Sequence, residues 1–61
     1  MTTYNEYVNW LIENKKDFSI NYKNGKIYSI TATLQNQFGE TIQKDLYASY
    51  LNGEIVVRCV V

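Results

Sequence analysis

The apolar positions along the chain change their period once. From Tyr4 to Ile12 they fall at Tyr4, Tyr7, Val8, Leu11 and Ile12, the i, i+3, i+4, i+7, i+8 spacing of one stripe on a helix. Thr3 followed by Glu6 has the spacing of a capping box, so the helix is expected to begin at about Tyr4. The polar run Asn14-Lys15-Lys16-Asp17 should end it, with two lysines against the negative end of the helix dipole. From Phe18 onward the period is two. Three glycine-containing turns, Lys23-Asn24-Gly25, Gln37-Phe38-Gly39 and Asn52-Gly53, divide this part into four strands joined as a meander.

Turn lengths follow from the faces, because a slip of one residue sends every side chain of a strand to the other side. A two-residue Asn24-Gly25 turn sets Tyr22 opposite Ile27 and Ile20 opposite Ser29, apolar against polar. A three-residue loop with Gly25 left-handed instead pairs Ile20 with Tyr28 and Phe18 with Ile30, and is the expected arrangement. The same loop type at Gln37-Phe38-Gly39 pairs Leu34 with Ile42 and Ile30 with Leu46. A two-residue Asn52-Gly53 turn of type I′ aligns Tyr50 with Ile55, Ala48 with Val57 and Leu46 with Cys59.

Residues 41–51 are open to two assignments, since Ile42, Leu46, Tyr47, Tyr50 and Leu51 also match a helical stripe with Gly53 as its stop. Agreement of the register with both neighbours, and the preference of tyrosine for sheets, favour a strand. The expected fold is therefore a single α+β domain over residues 1–61, an N-terminal helix packed on one face of a four-stranded antiparallel meander sheet. With 41–51 helical, the order would be αββαβ.

A chain of 61 residues is near the lower limit for a domain that folds without staples. Cys59 is its only cysteine and histidine is absent, so neither a disulfide nor the usual zinc sites are expected, and no cofactor is implied. No stretch reaches the roughly 20 apolar residues of a membrane span, and the first residues lack the pattern of a signal peptide, which makes the cytoplasm the expected location. Six basic residues balance six acidic ones, removing the simple electrostatic case for duplex DNA or anionic lipid. Asn, Ile, Lys and Tyr, all with codons rich in A and T, supply 24 of the 61 residues. That bias points to an AT-rich genome such as that of a low-GC bacterium or its phage.

Catalysis finds little to work with. The commonest acid/base side chain is missing, Cys59 has no histidine partner and is expected to be a small buried hydrophobe, and no carboxylate pair has a spacing that suggests shared proton transfer. An enzyme is therefore not expected. A nucleic-acid alternative rests on Lys15, Lys16, Lys23 and Lys26, expected to form a patch around the helix end and the first hairpin. Tyr22, Tyr28 and Tyr50 are assigned to the apolar face and Tyr4 and Tyr7 to the helix, which leaves Tyr47 alone for stacking.

Protein binding is the favoured class. On the face away from the helix, the expected register sets Ile27, Ser49 and Val56 in one row and Ser29, Tyr47 and Arg58 in the next. Ile27, Tyr47, Val56 and Arg58 would form a patch within a polar, mostly uncharged surround suited to a protein interface. Trp10 lies about 100° off the helix stripe and is a second candidate anchor. The last strand, 54–61, has apolar residues on both faces and no proline, so it is expected to be an exposed edge for a homodimer or for docking a partner. The role expected from these features is that of a small accessory or inhibitor protein, of a phage or mobile element, that masks part of a partner protein's surface.

Overall fold

Thr3 does two jobs at once. In the computed structural model, which describes residues 2–59, Thr2–Thr3 form a short strand β1, and the Thr3 side chain caps the helix α1, Tyr4–Glu13, by accepting from the Glu6 amide at 3.2 Å. The expected helix start is thus present, and its cap satisfies an amide left without an intrahelical partner. At the other end the Lys15 amide donates to the Ile12 carbonyl at 3.1 Å and the Lys16 amide to the Leu11 carbonyl at 2.9 Å. This is a Schellman closure, but with Lys15 at φ 54° where glycine is usual. The lysines lie just past the last turn.

Four further strands follow, β2 (Asp17–Lys23), β3 (Lys26–Gln35), β4 (Thr41–Leu51) and β5 (Glu54–Cys59). Residues 41–51 are strand, and the αββαβ alternative is set aside. All five strands form one antiparallel sheet in the order β1-β5-β4-β3-β2, rather than the four expected. Two residues have no readable period, which is why β1 escapes a pattern search. Its pairing of Thr2 with Val57 and Thr3 with Val56 corrects the expectation that the last strand is an open edge. Val60 and Val61 of that predicted strand lie outside the described residues.

Two of the three expected registers hold. Strands β3 and β4 pair Leu34 with Ile42 and Ile30 with Leu46, while β4 and β5 pair Tyr50 with Ile55, Ala48 with Val57 and Leu46 with Cys59. Asn52 and Gly53 both have positive φ, 50° and 79°, as a type I′ turn requires. The first hairpin differs. Its turn is the two-residue Asn24-Gly25 pair, with φ 53° and 76°, and Lys23 opposite Lys26. Tyr22 then faces Ile27, and the register shifts before Asn21 meets Ser29 and Ile20 meets Ile30. The extra residue is Tyr28. A bulge inside β3 therefore absorbs the mismatch assigned above to the loop, and Phe18 pairs with Ala32 instead of Ile30.

The core is small. Leu11, Ile30, Ala32 and Val57 are buried, and Tyr4, Tyr7, Val8, Phe18, Leu34 and Leu46 pack around them. A ten-residue helix spans about 15 Å, whereas the eleven residues of β4 extend about 36 Å, so α1 cannot cover the sheet it packs on. The molecule is accordingly elongated, 37 × 20 × 20 Å. Tyr22, Ile42, Tyr50 and Leu51 remain exposed, and so does Ile12, which the stripe assigned to the core. No helix among the described residues is long and apolar enough to cross a membrane.

Candidate functional site

The bulge in β3 determines what the open face of the sheet presents. Ser29 opposes Tyr47, and Tyr47 opposes Arg58, which places these three on the side away from core residues Ile30, Leu46 and Val57. Because Tyr28 is the extra residue, it joins Ser29 on this side instead of the apolar face expected for it. Its ring meets that of Tyr47 edge to face, with centroids 5.5 Å apart and planes at 81°. The geometry is the one the ring quadrupoles favour. Ile27 moves the other way. It pairs with Tyr22, and its carbonyl accepts from the Tyr50 hydroxyl at 3.1 Å, so it does not join Ser49 and Val56 in the expected patch.

A continuous line of side chains results, crossing four strands. The Lys23 ammonium lies 5.2 Å from the centroid of the Tyr28 ring, Tyr28 touches Tyr47, and Tyr47 is paired with Arg58. Below it runs a polar network. The Asn21 amide donates to the hydroxyls of Ser29 at 3.1 Å and Thr31 at 2.9 Å, and the Thr31 hydroxyl donates to the Asp45 carboxylate at 2.7 Å. These bonds tie β2, β3 and β4 together through side chains and hold the ground under Tyr28 in one arrangement. Ser29 is 5% exposed and Val56 7% exposed although the helix is on the opposite side. Val56 lies between Thr3 and Ser49, with Tyr47 as a diagonal neighbour, so the open face covers its own centre. Of the four expected patch residues, Tyr47 and Arg58 stand on the surface, Val56 lies beneath it, and Ile27 is elsewhere.

The lysines of the alternative site are not brought together. Lys15 and Lys16 precede β2, while Lys23 ends it and Lys26 opens β3, and seven extended residues from Lys16 to Lys23 span about 23 Å. Lys26 lies 6.0 Å from the Tyr50 ring, apart from the helix end. Only Lys23 reaches the aromatic pair.

Trp10 is 45% exposed and stacks on Tyr7, with centroids 6.3 Å apart and planes at 7°. The two line a groove of about 470 Å³ together with Glu6, Leu34, Lys44, Leu46 and Cys59. Burial pushes the Tyr7 hydroxyl above its ordinary value, and the neighbouring Cys59 thiol adds to the shift. That hydroxyl is buried without a hydrogen-bond partner among the described residues. Cys59 itself is exposed, correcting its assignment as a buried hydrophobe. It faces the helix side at the end of β5, opposite Leu46, and lies open in this groove beside Tyr7 and Trp10. Among the described residues no cluster of three or more His, Cys, Asp or Glu side chains could hold a metal. Set against protein-family models, curated proteins and solved structures, the chain matches none.

Proposed function

We propose that this protein is a binding module without catalytic activity, and that it acts by covering part of a partner protein's surface with the open face of its sheet. The observation that carries the proposal is the Tyr28–Tyr47 pair, held between Lys23 and Arg58 on the face the helix leaves uncovered. Tyrosine and arginine dominate interface energetics because they offer large contact areas with polar tips, and both rings here are partly anchored before any partner arrives. The surround of Ser49, Thr31 and Thr33 desolvates at lower cost than charged side chains would. A cytoplasmic accessory or inhibitor protein, of a phage or mobile element of a low-GC bacterium, is the role that composition and size suggest for such a module.

The test is paired capture. Wild type and Tyr47→Ala/Arg58→Ala serve as baits against the same low-GC bacterial lysate, and each captured protein is then titrated against both. A captured protein that loses at least about tenfold in affinity for the double variant supports the assignment, while equal affinity for both baits rejects this face.

One observation favours a second reading, single-stranded nucleic acid. Two outward tyrosines flanked by cations are more of a stacking platform than Tyr47 alone. Against it, Asp45 and Glu54 lie on the same face by register and offset Lys23 and Arg58. Oligonucleotide titration at two salt concentrations separates the two, because contact with phosphates weakens steeply with salt. Protein binding predicts no salt-sensitive complex.

A further inference from the structure

Among the described residues, β2 is the long strand whose outer side has no partner along its whole length. At the other end β1 occupies β5 at Val56 and Val57, whereas β2 lies at the margin with pairing only to β3 among the described residues. Exposed strands are usually guarded by proline, by a bulge in the strand itself or by charges within it. Strand β2 has neither of the first two, and its charges, Asp17 and Lys23, stand only at its two ends. It contains no proline, the extra residue of its hairpin belongs to β3, and Phe18-Ser19-Ile20-Asn21-Tyr22 carries no charge. Tyr22 is left 65% exposed.

The strand is also complementary to itself. Laid antiparallel to a second β2 about a two-fold axis at Ile20, it sets Ile20 opposite Ile20, Phe18 opposite Tyr22, Ser19 opposite Asn21 and Asp17 opposite Lys23. Every pair matches in character, and both charged pairs are of opposite sign. Other registers fail. A slip of one residue sets apolar side chains against polar ones, a two-fold at Ser19 brings Lys15 against Lys23, and a two-fold at Asn21 carries Asp17 past the end of the strand.

We infer that β2 is a homodimer interface, pairing with β2 of a second copy in the register centred on Ile20. The inference does not depend on what the open face binds. Directly opposed residues of paired strands point to the same side, so the two-fold axis stands perpendicular to the sheet. The dimer is a ten-stranded sheet with both helices on one side and both open faces on the other. Exposed Tyr22 then packs against Phe18 of the other copy. Two Tyr28–Tyr47 patches face the same direction and can engage a repetitive or dimeric partner at once, which raises its affinity without any new contact.

Charge reversal tests this without a partner. Sedimentation across a concentration series at low salt should give wild type a limiting mass of twice the 7.1 kDa of one chain. Asp17→Lys and Lys23→Asp each set like charges opposite one another in both halves of the interface, and each should raise the dimer dissociation constant by about tenfold. The combined variant Asp17→Lys/Lys23→Asp restores the opposite pairing and should recover the dimer. Both positions are exposed and circular dichroism reports whether the fold is kept. A mass of one chain throughout the series overturns the inference. So does a dimer indifferent to the single reversals, and so does a double variant that fails to recover although folded.

Discussion

The two faces of this sheet are built on different principles. On the covered side α1 drives Leu11 into Ile30, Ala32 and Val57, and exclusion of water from aliphatic side chains supplies the stability. On the open side burial is achieved without a covering element. Ser29 and Val56 are closed off by their own neighbours, and hydrogen bonds from Asn21 through Thr31 to Asp45 replace apolar packing. The first face is fit for holding the fold together. The second keeps two aromatic rings and a guanidinium at the surface on a fixed base, which is what a binding face needs.

Substitution on each side should show the difference in size. Leu11→Ala removes a fully buried side chain from a core of four and should cost about 2–5 kcal/mol. A domain of 61 residues has roughly 3–9 kcal/mol in all, so urea unfolding should find that this variant has lost a large share of its stability. Tyr47→Ala on the open side loses an edge-to-face contact and partial burial and should cost about 1 kcal/mol by the same measurement. Equal losses at the two positions would mean that the open face is a second core.

A smaller effect lies at the rim of the covered face. Burial raises the Tyr4 hydroxyl, with Tyr22 and Tyr50 adding to it, and raises Tyr7 chiefly by burial as well. For both groups the folded value lies above the unfolded one. Their contribution is complete below about pH 10 and is lost as the pH rises through the folded values, because the unfolded chain releases its protons first. Tyr7→Phe should leave stability at neutral pH unchanged or slightly higher, since the buried hydroxyl has no partner among the described residues, and should make the alkaline loss shallower. Thermal unfolding from pH 8 to 11 measures both.

Much of this architecture is legible in the chain. The Thr3 cap, the stripe through Leu11 and the type I′ turn at Asn52-Gly53 each follow from spacing and turn chemistry, while the strand at 41–51, whose spacing also fits a helix, is favoured by the agreement of its register with both neighbours. The first hairpin is not, for a definable reason. Matching apolar faces constrains whether a register is odd or even, but a shift of two residues preserves every face. Ile20 opposite Tyr28 and Ile20 opposite Ile30 pass the same test, and what separates them is the fit of an Asn-Gly turn to the twist of the strands. The bulge, a single extra residue, reverses parity between itself and the turn, and this moves Tyr28 onto the open face and Ile27 off it. Cys59 has the strand parity, and Ile12 the helical spacing, of a core position, yet both are exposed. Ile12 stands about 100° around the helix from buried Leu11, at the margin of the stripe, and Cys59 ends β5 in an open groove beside Tyr7 and Trp10.

Division of labour between the two faces is tested most directly by chemical-shift mapping. The isotope-labelled protein is titrated with a captured partner, and backbone amide signals are followed. The perturbed signals are expected to gather at Lys23, Tyr28, Ser29, Tyr47, Ser49 and Arg58 while those of Val8 and Leu11 stay in place. Perturbations gathered along α1 and around Trp10, with the open face silent, would contradict that division.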